Sequence, residues 1–298
     1  MNRTEINHMS IKHDLQYTIM RLLNINHSSS FATQSDRRHI LKKFAGDLIS
    51  LGYRLPDIHG LKQKHIKAVI KDWQDNGLSS STIKNCAAVL RHLCDRINKR
   101  NIMPTNEQLN ISKRVYLPKI NRALVNPDFS KVSNMYIKIS LEMQRVFGLR
   151  REESLKLKPH LADKGEKLVL LSTWCKGGRA RQIPILTEEQ RYWIQQAKNL
   201  TQRTEYSLIP QNKTYIQHRN VYDKQALRAG LRNLHGLRHA YAQKRYEQLT
   251  GWAAPINGGF KAKQLTTEQR KTDFEARMIL TEELGHSREQ ITVNYLGR

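Results

Sequence analysis

Four short stretches of this 298-residue sequence hold residues of reactive type at spacings that chemistry could use. The first, Gly148-Leu149-Arg150-Arg151-Glu152-Glu153, follows one apolar helical pattern and opens another. An arginine at a helix start offers a planar fork to a phosphate, beside free backbone N–H groups. Glu153 lies three residues on, on the same helix face, and can hold Arg150 in place. The second stretch centres on Lys176, which precedes Gly177, Gly178, Arg179 and Arg181. At a hairpin tip a lysine can enter a DNA groove and give a proton to a leaving oxygen. The third is His235-Gly236-Leu237-Arg238-His239, where His235 and Arg238 share one helix face and can reach one phosphate. His235 and His239 also have metal-ligand spacing, but no Glu stands between them in the HExxH manner and no third ligand group is evident, so no metal is expected. The fourth runs from Leu284-Gly285-His286-Ser287 to Tyr295. A phenol with a pKa near 10 is a poor nucleophile until its oxygen is oriented and its charge offset. Two arginines and a lysine around one phosphate would supply that environment. Taken singly, each stretch has an ordinary reading as well: a surface Arg–Glu pair, a solvated turn, a core histidine, a packed tyrosine.

These side chains need elements to position them. A short amphipathic segment, His13 to Leu23, is followed by a polar break at 27–30. Thr33 or Ser35 is expected to cap a basic helix carrying Ile40, Leu41, Phe44, Leu48 and Ile49 at helical spacing, ended by Gly52 and Pro56. A second helix is predicted over Lys62–Asp75 and a third from Thr82 to about Asn98, behind the hydroxyl run Ser79–Thr82. The stretch from Pro104 to Asp128 holds three prolines and reads as a linker and entry to a second domain. Helical patterns resume at Phe129–Phe147, Thr187–Asn199, His235–Gln248 and Thr267–Tyr295. A β-hairpin is predicted from Lys167–Ser172 and Arg181–Leu186, turning at Lys176-Gly177-Gly178. The fold class is therefore mainly α with a small β-hairpin, in two domains, 1–122 helical and 123–298 α+β.

Charge limits the partners. There are 51 Lys+Arg against 26 Asp+Glu, a formal +25. Residues 1–125 carry +12 and residues 126–298 carry +13, so the charge is no tail and both halves are suited to one polyanion. A membrane surface would also attract such a chain, but no apolar run approaches the ~20 residues of a membrane span. The first 23 residues lack the apolar core of a signal peptide. Cys86, Cys94 and Cys175 form no CxxC pair, and an odd, sparse count fits free thiols in a reducing compartment. A soluble cytoplasmic protein is expected.

The order of the four stretches is more specific than any one of them: Arg-x-x-Glu, a hairpin lysine, His-x-x-Arg, then Gly-His with a tyrosine nine residues after the histidine. In this the sequence resembles the tyrosine recombinase (phage integrase) family. "GLRREESLKL" is similar to the family's first arginine box, "CKGGRARQIPI" to its lysine hairpin, and "HGLRHAYA" and "LGHSREQITVNYLG" to its second and third boxes. "LSSSTIKNCAAVLRHL" more weakly resembles its core-binding helix. The resemblance implies a two-domain, C-shaped DNA clamp with a core-binding domain ahead of the catalytic one. It implies Tyr295 as nucleophile and Arg150, His235, Arg238 and His286 around the scissile phosphate. Lys176 would be the general acid and Glu153 a supporting carboxylate. Lys84, Arg91, Arg179 and Arg181 are expected on the DNA side. The reaction would be site-specific strand exchange through a 3′-phosphotyrosyl link, with neither cofactor, metal nor ATP. The partners would be double-stranded DNA, three further copies of the chain in a tetramer on two sites, and accessory DNA-bending proteins, at a bacterial nucleoid. Rival readings are a type IB topoisomerase-like enzyme, a non-catalytic architectural DNA-binding protein and a metal-dependent nuclease.

Two features depart from the family pattern. Forty-five residues separate Arg238 from Leu284, about twice the expected number, with the excess around Gly251–Thr267 as a loop over DNA or a subunit contact. The sequence as given also ends three residues after Tyr295, so the further helix that many relatives pack on a neighbour is expected to be missing, truncated or replaced by the inserted segment.

Overall fold

The computed structural model describes residues 14–23, 30–114, 116–118 and 120–298. Most of the polar break expected at 27–30 and His13 lie outside them. The chain separates into two compact units, Met1–Val115 and Tyr116–Arg298. The division falls ahead of the expected break after residue 122. The reason is local: Leu124 N donates to Gly236 O and Asn121 bonds Gln243 and Asn257, which ties this stretch to the second unit.

The first unit is helical: α1 (14–23), α2 (Phe31–Ser50), α3 (Gln63–Asp75) and α4 (Ser80–Arg96). Helix α2 starts earlier than expected. Ser30, not Thr33 or Ser35, is its cap, and its hydroxyl accepts from Thr33 N. Ser79 caps α4 in the same way. The apolar faces meet in one core around Leu41, Phe44, Leu48, Val69, Trp73 and Leu90. Trp73 is nearly fully buried, and its indole N–H donates to Asp47 at 2.6 Å, so its one polar group is satisfied inside that core.

The second unit contains helices α5 (Met135–Phe147), α6 (Arg151–Lys156), α7 (Pro159–Ala162), α8 (Glu188–Thr201), α9 (Tyr215–Arg228), α10 (Gly236–Thr250), α11 (Thr267–Glu283) and α12 (Val293–Leu296). A two-stranded antiparallel sheet joins β1 (Lys167–Leu170) to β2 (Arg181–Pro184), with Leu168 opposite Ile183. The expected hairpin is therefore real, but its strands are shorter and its connection is long. Lys176–Gly178 form a single 3-10 turn within that connection rather than a tight two-residue turn. Helix α5 begins at Met135 behind the Asn134 cap, so Phe129 and Val132 are buried core residues outside a helix. Among the described residues no helix is long and apolar enough to cross a membrane. All three cysteines are buried and free.

Two glycines let the site close up. Gly148 ends α5 with φ +59°, and a Cβ there would stand 2.5 Å from the Tyr241 ring. Gly285 follows α11 with φ +63°, and a Cβ would press on the Arg181 side chain at 3.0 Å. The backbone thus passes close to side chains that bind at the site.

Candidate active site

The start of α10 and the end of the chain meet around one phenol. His235 precedes α10, Arg238 lies in its first turn, and Tyr295 sits in the single turn of α12. Arg238 is 1% exposed. Its guanidinium reaches in three directions: Nη1 donates to Gly148 O at 2.6 Å, Nη2 donates to Leu284 O, and Nε donates to Tyr295 Oη at 3.3 Å. His286 Nε2 lies 3.0 Å from the same oxygen and 3.5 Å from Arg238 Nη2. Three of the residues singled out by spacing, from positions 238, 286 and 295, therefore share one point. His235 stands exposed beside them, its ring centroid 6.3 Å from that of Tyr295. His239, the next residue on that helix face, packs closer still, at 4.7 Å. It is a packing partner of the phenol ring, in line with a core histidine.

Electrostatics fix the protonation states. Burial, then the charges of Arg238, Arg150 and Arg181, hold His286 down at about 3, so its imidazole is neutral at pH 7. Burial with the neighbouring His235, Arg122 and Arg238 lowers His239 to about 4. Burial brings Arg238 down to about 10, and it still carries its proton at pH 7. A neutral imidazole and a charged guanidinium at one phenol oxygen form a proton acceptor beside a fixed positive charge.

A carboxylate organises the second arginine. Glu153 is fully buried, and its oxygens accept from Arg150 N and Nη1, both at 2.7 Å. They also accept from Arg181 Nη1 at 2.9 Å and Nη2 at 2.6 Å. Burial alone would raise this carboxyl. The hydrogen bonds and charge of Arg181, with the charges of Arg150 and Arg238, outweigh burial and hold it at about 2. Arg150 keeps a partly exposed guanidinium on the other side. Arg181 corrects an expectation. It is 8% exposed, and Nε donates to Glu283 O at 2.8 Å while both Nη atoms serve Glu153, so its guanidinium is occupied inside the site rather than at the surface. Its strand reads buried, exposed, buried, which puts Arg181 on the same face as Ile183.

This pairing predicts an acid-sensitive stability. The Glu153 pKa is about 2 when folded against an ordinary 4.5. Its contribution is complete above about 4.5 and is lost as pH falls towards about 2, on the order of 3 kcal/mol in all. Glu153→Ala strands two arginines around a buried void, at a cost of about 3–5 kcal/mol. Urea unfolding at neutral pH should show a loss of that size, and the variant should lose the Glu153 share of the acid dependence while that of Asp163 remains. An unchanged midpoint would mean that the pair contributes nothing net.

The remaining positions spread outwards. Lys176 is exposed in its 3-10 turn and holds no hydrogen bond or ion pair among the described residues. Arg179 is exposed and donates to His286 O at 3.3 Å, which links that connection to the third box. In the first unit, Lys84 is half-exposed on α4, and Arg91 donates to Asn106 Oδ1 at 2.6 Å. The site also contains residues without a sequence signal of their own. Tyr241 Oη donates to Glu283 at 2.8 Å, and Arg245 pairs with the same carboxylate, joining α10 to α11. Gln243 Nε2 donates to Tyr295 O at 2.9 Å.

Comparison with known proteins bears on the family and the fold. A family model described as phage integrase, N-terminal, matches residues 13–102, and one described as integrase matches residues 121–244. Together they take in more than two thirds of the chain, including Arg150, Lys176, His235 and Arg238. The fold is that of solved relatives. The Tn1549 transposon integrase in complex with circular intermediate DNA aligns at a TM-score of 0.53 and 16% identity, over 95% of each chain. The XerH site-specific recombinase bound to its difH substrate aligns at 0.56 and 16%, over 96% of this chain and 91% of that one. No curated protein matches in sequence.

Proposed function

The chain belongs to the phage integrase family of tyrosine recombinases, and on that premise we propose that it cuts and rejoins DNA at specific sites through Tyr295. The observation that carries this reading is the convergence of Arg238 and His286 on one phenol oxygen, 3.3 and 3.0 Å away. Tyr295 Oη attacks the phosphorus of a duplex, and the bond to the 5′ oxygen breaks. The phenol proton passes to neutral His286. Lys176 gives a proton to the departing 5′ oxygen. The products are a 3′-phosphotyrosyl link and a free 5′-hydroxyl. A 5′-hydroxyl of a second duplex then attacks the link and restores the phenol, which exchanges strands. Arg150 and Arg238 would offset the charge that builds on the non-bridging oxygens, and His235 would donate to one of them. The phosphodiester energy is kept in the covalent link, so the scheme requires neither nucleotide nor metal. Residues 1–115 would serve as the core-binding domain, with Lys84 and Arg91 of α4 towards the duplex, and Arg179 would meet it from the catalytic unit. Strand exchange between two sites calls for four copies of the chain.

The test is covalent capture. Nicked duplexes tiled across the DNA that flanks the gene are incubated with the protein in EDTA and run on a denaturing gel. A DNA-linked protein band that survives denaturation supports the reading. Tight duplex binding with no such band on any duplex would favour an architectural role. Capture that reseals without ever joining two duplexes would favour a topoisomerase.

The acid role can be separated from the rest. Lys176→Ala should slow capture by about 10²-fold or more. Replacing the bridging 5′ oxygen by sulfur should restore most of the rate, because a thiolate leaves without needing a proton. A variant that stays slow on the sulfur substrate would remove Lys176 from that role.

A further inference from the structure

The residue that bears the nucleophile sits in an element that cannot hold itself. Helix α12 is one turn of four residues, and its own hydrogen bonds restrain it little. Yet Tyr295 and Leu296 are buried and Tyr295 Oη has a defined place. Arg277 of α11 holds Thr292 Oγ1 and Gly297 O, at 3.2 and 3.3 Å, and further restraint comes from the long connection between α10 and α11. Gly297 lies against it so closely that a Cβ would stand 3.1 Å from Ile256 N. The carbonyl of Tyr295 itself accepts from Gln243 Nε2 at 2.9 Å. That amide cannot turn, because its Oε1 accepts from Asn257 Nδ2 at 3.0 Å and Asn121 Oδ1 accepts from its Nε2 at 2.9 Å. Asn121 Nδ2 closes the ring by donating to Asn257 Oδ1 at 2.5 Å. Asn257 stands in the 3-10 turn Pro255–Asn257, inside the excess segment. The segment itself is tightly folded: Gly259 passes so near Ala253 O that no Cβ could fit.

We infer that the segment 251–266 is a brace that sets the nucleophile in place within its own chain, with Gln243 and Asn257 as positioning residues. This rests on Tyr295 being the nucleophile. Every member of the ring of amides is bonded to the other two, so losing either end frees Gln243 to rotate and releases the Tyr295 carbonyl. A shift of about 1 Å in a reacting atom can cost about 10²-fold in rate. The brace touches no atom that reacts, so duplex affinity should be unaffected.

Two measurements on the full-length protein test it. In amide exchange without DNA, Asn257→Ala and Gln243→Met should each speed exchange of the 293–298 segment by about tenfold or more, while α5 and the β1–β2 sheet stay at the wild-type rate. In single-turnover capture at saturating nicked duplex, the same variants should slow adduct formation by about 10–100-fold, with affinity for that duplex within about twofold. Asn257→Ala sits in the connection rather than the core, so it answers the question if Gln243→Met fails to fold. Wild-type exchange and wild-type capture in Asn257→Ala would overturn the brace, as would equal loss of capture and affinity. If wild-type protein captures no duplex, the reading of Tyr295 falls instead. The exchange measurement then decides alone whether the brace holds the segment.

Discussion

Tyr295→Phe is expected to abolish covalent capture while duplex binding stays within about twofold of wild type. The substitution removes one oxygen and keeps the ring. That ring is packed by His239 at 4.7 Å and by His286 at 5.6 Å between centroids, and these contacts survive. Among the described residues the hydroxyl is bonded only to Arg238 and His286, and Arg238 keeps its two carbonyl partners. The stability cost is therefore one modest hydrogen bond or so, about 1 kcal/mol. Without the hydroxyl no phosphotyrosyl bond can form, so the loss should reach the detection limit. The measurement is a denaturing gel of nicked duplex beside a native binding gel and a thermal melt. A persistent adduct in a folded Tyr295→Phe protein would mean that another residue attacks.

The second large effect belongs to Arg238. On the proposed chemistry, Arg238→Ala removes a donor to the developing charge, a loss that typically costs about 10²–10³ in rate. It also leaves Gly148 O and Leu284 O buried without their donor, at about 1–3 kcal/mol each. Rate and stability should therefore fall together, which sets this variant apart from Tyr295→Phe. Arg238→Lys keeps the charge, but its single nitrogen cannot span the three acceptors that the guanidinium reaches with separate nitrogens, so it should regain part of the stability and little of the rate. Single-turnover capture with urea unfolding on all three proteins measures this. An alanine variant that cleaves normally would take Arg238 out of the chemistry.

Much of this was legible because helices announce their ends. Ser79 before α4, and Thr187 with Gln190 at α8, are capping patterns beside clear apolar stripes. Helix α9 had no such stripe: its buried residues are His218, Tyr222 and Ala226, whose types do not stand out among polar neighbours. The α2 cap was ambiguous because hydroxyls at 28–30, 33 and 35 compete, and only the fold chooses Ser30. Arg150, Arg238, His286 and Tyr295 were picked out because their order along the chain is itself informative. The burial of Arg181 was not foreseen from its charge. Its alternation with Ile183 was the available signal, since a strand residue two before a core isoleucine shares its face. Gln243, Asn257 and Asn121 carry no local signature, because an amide gains its meaning from partners more than a hundred residues away.

Tyr295 is 5% exposed, its hydroxyl already engaged. A protein with a formal charge of +25 meets DNA of every sequence, held by phosphates alone. In each such encounter the phenol starts beneath the surface, out of reach of a passing phosphodiester. On the proposed chemistry, cleavage therefore requires a duplex fitted deeply enough to draw Arg238 and His286 from the phenol onto its own phosphate. On that chemistry, burial of the phenol is itself a filter on which DNA contacts can react.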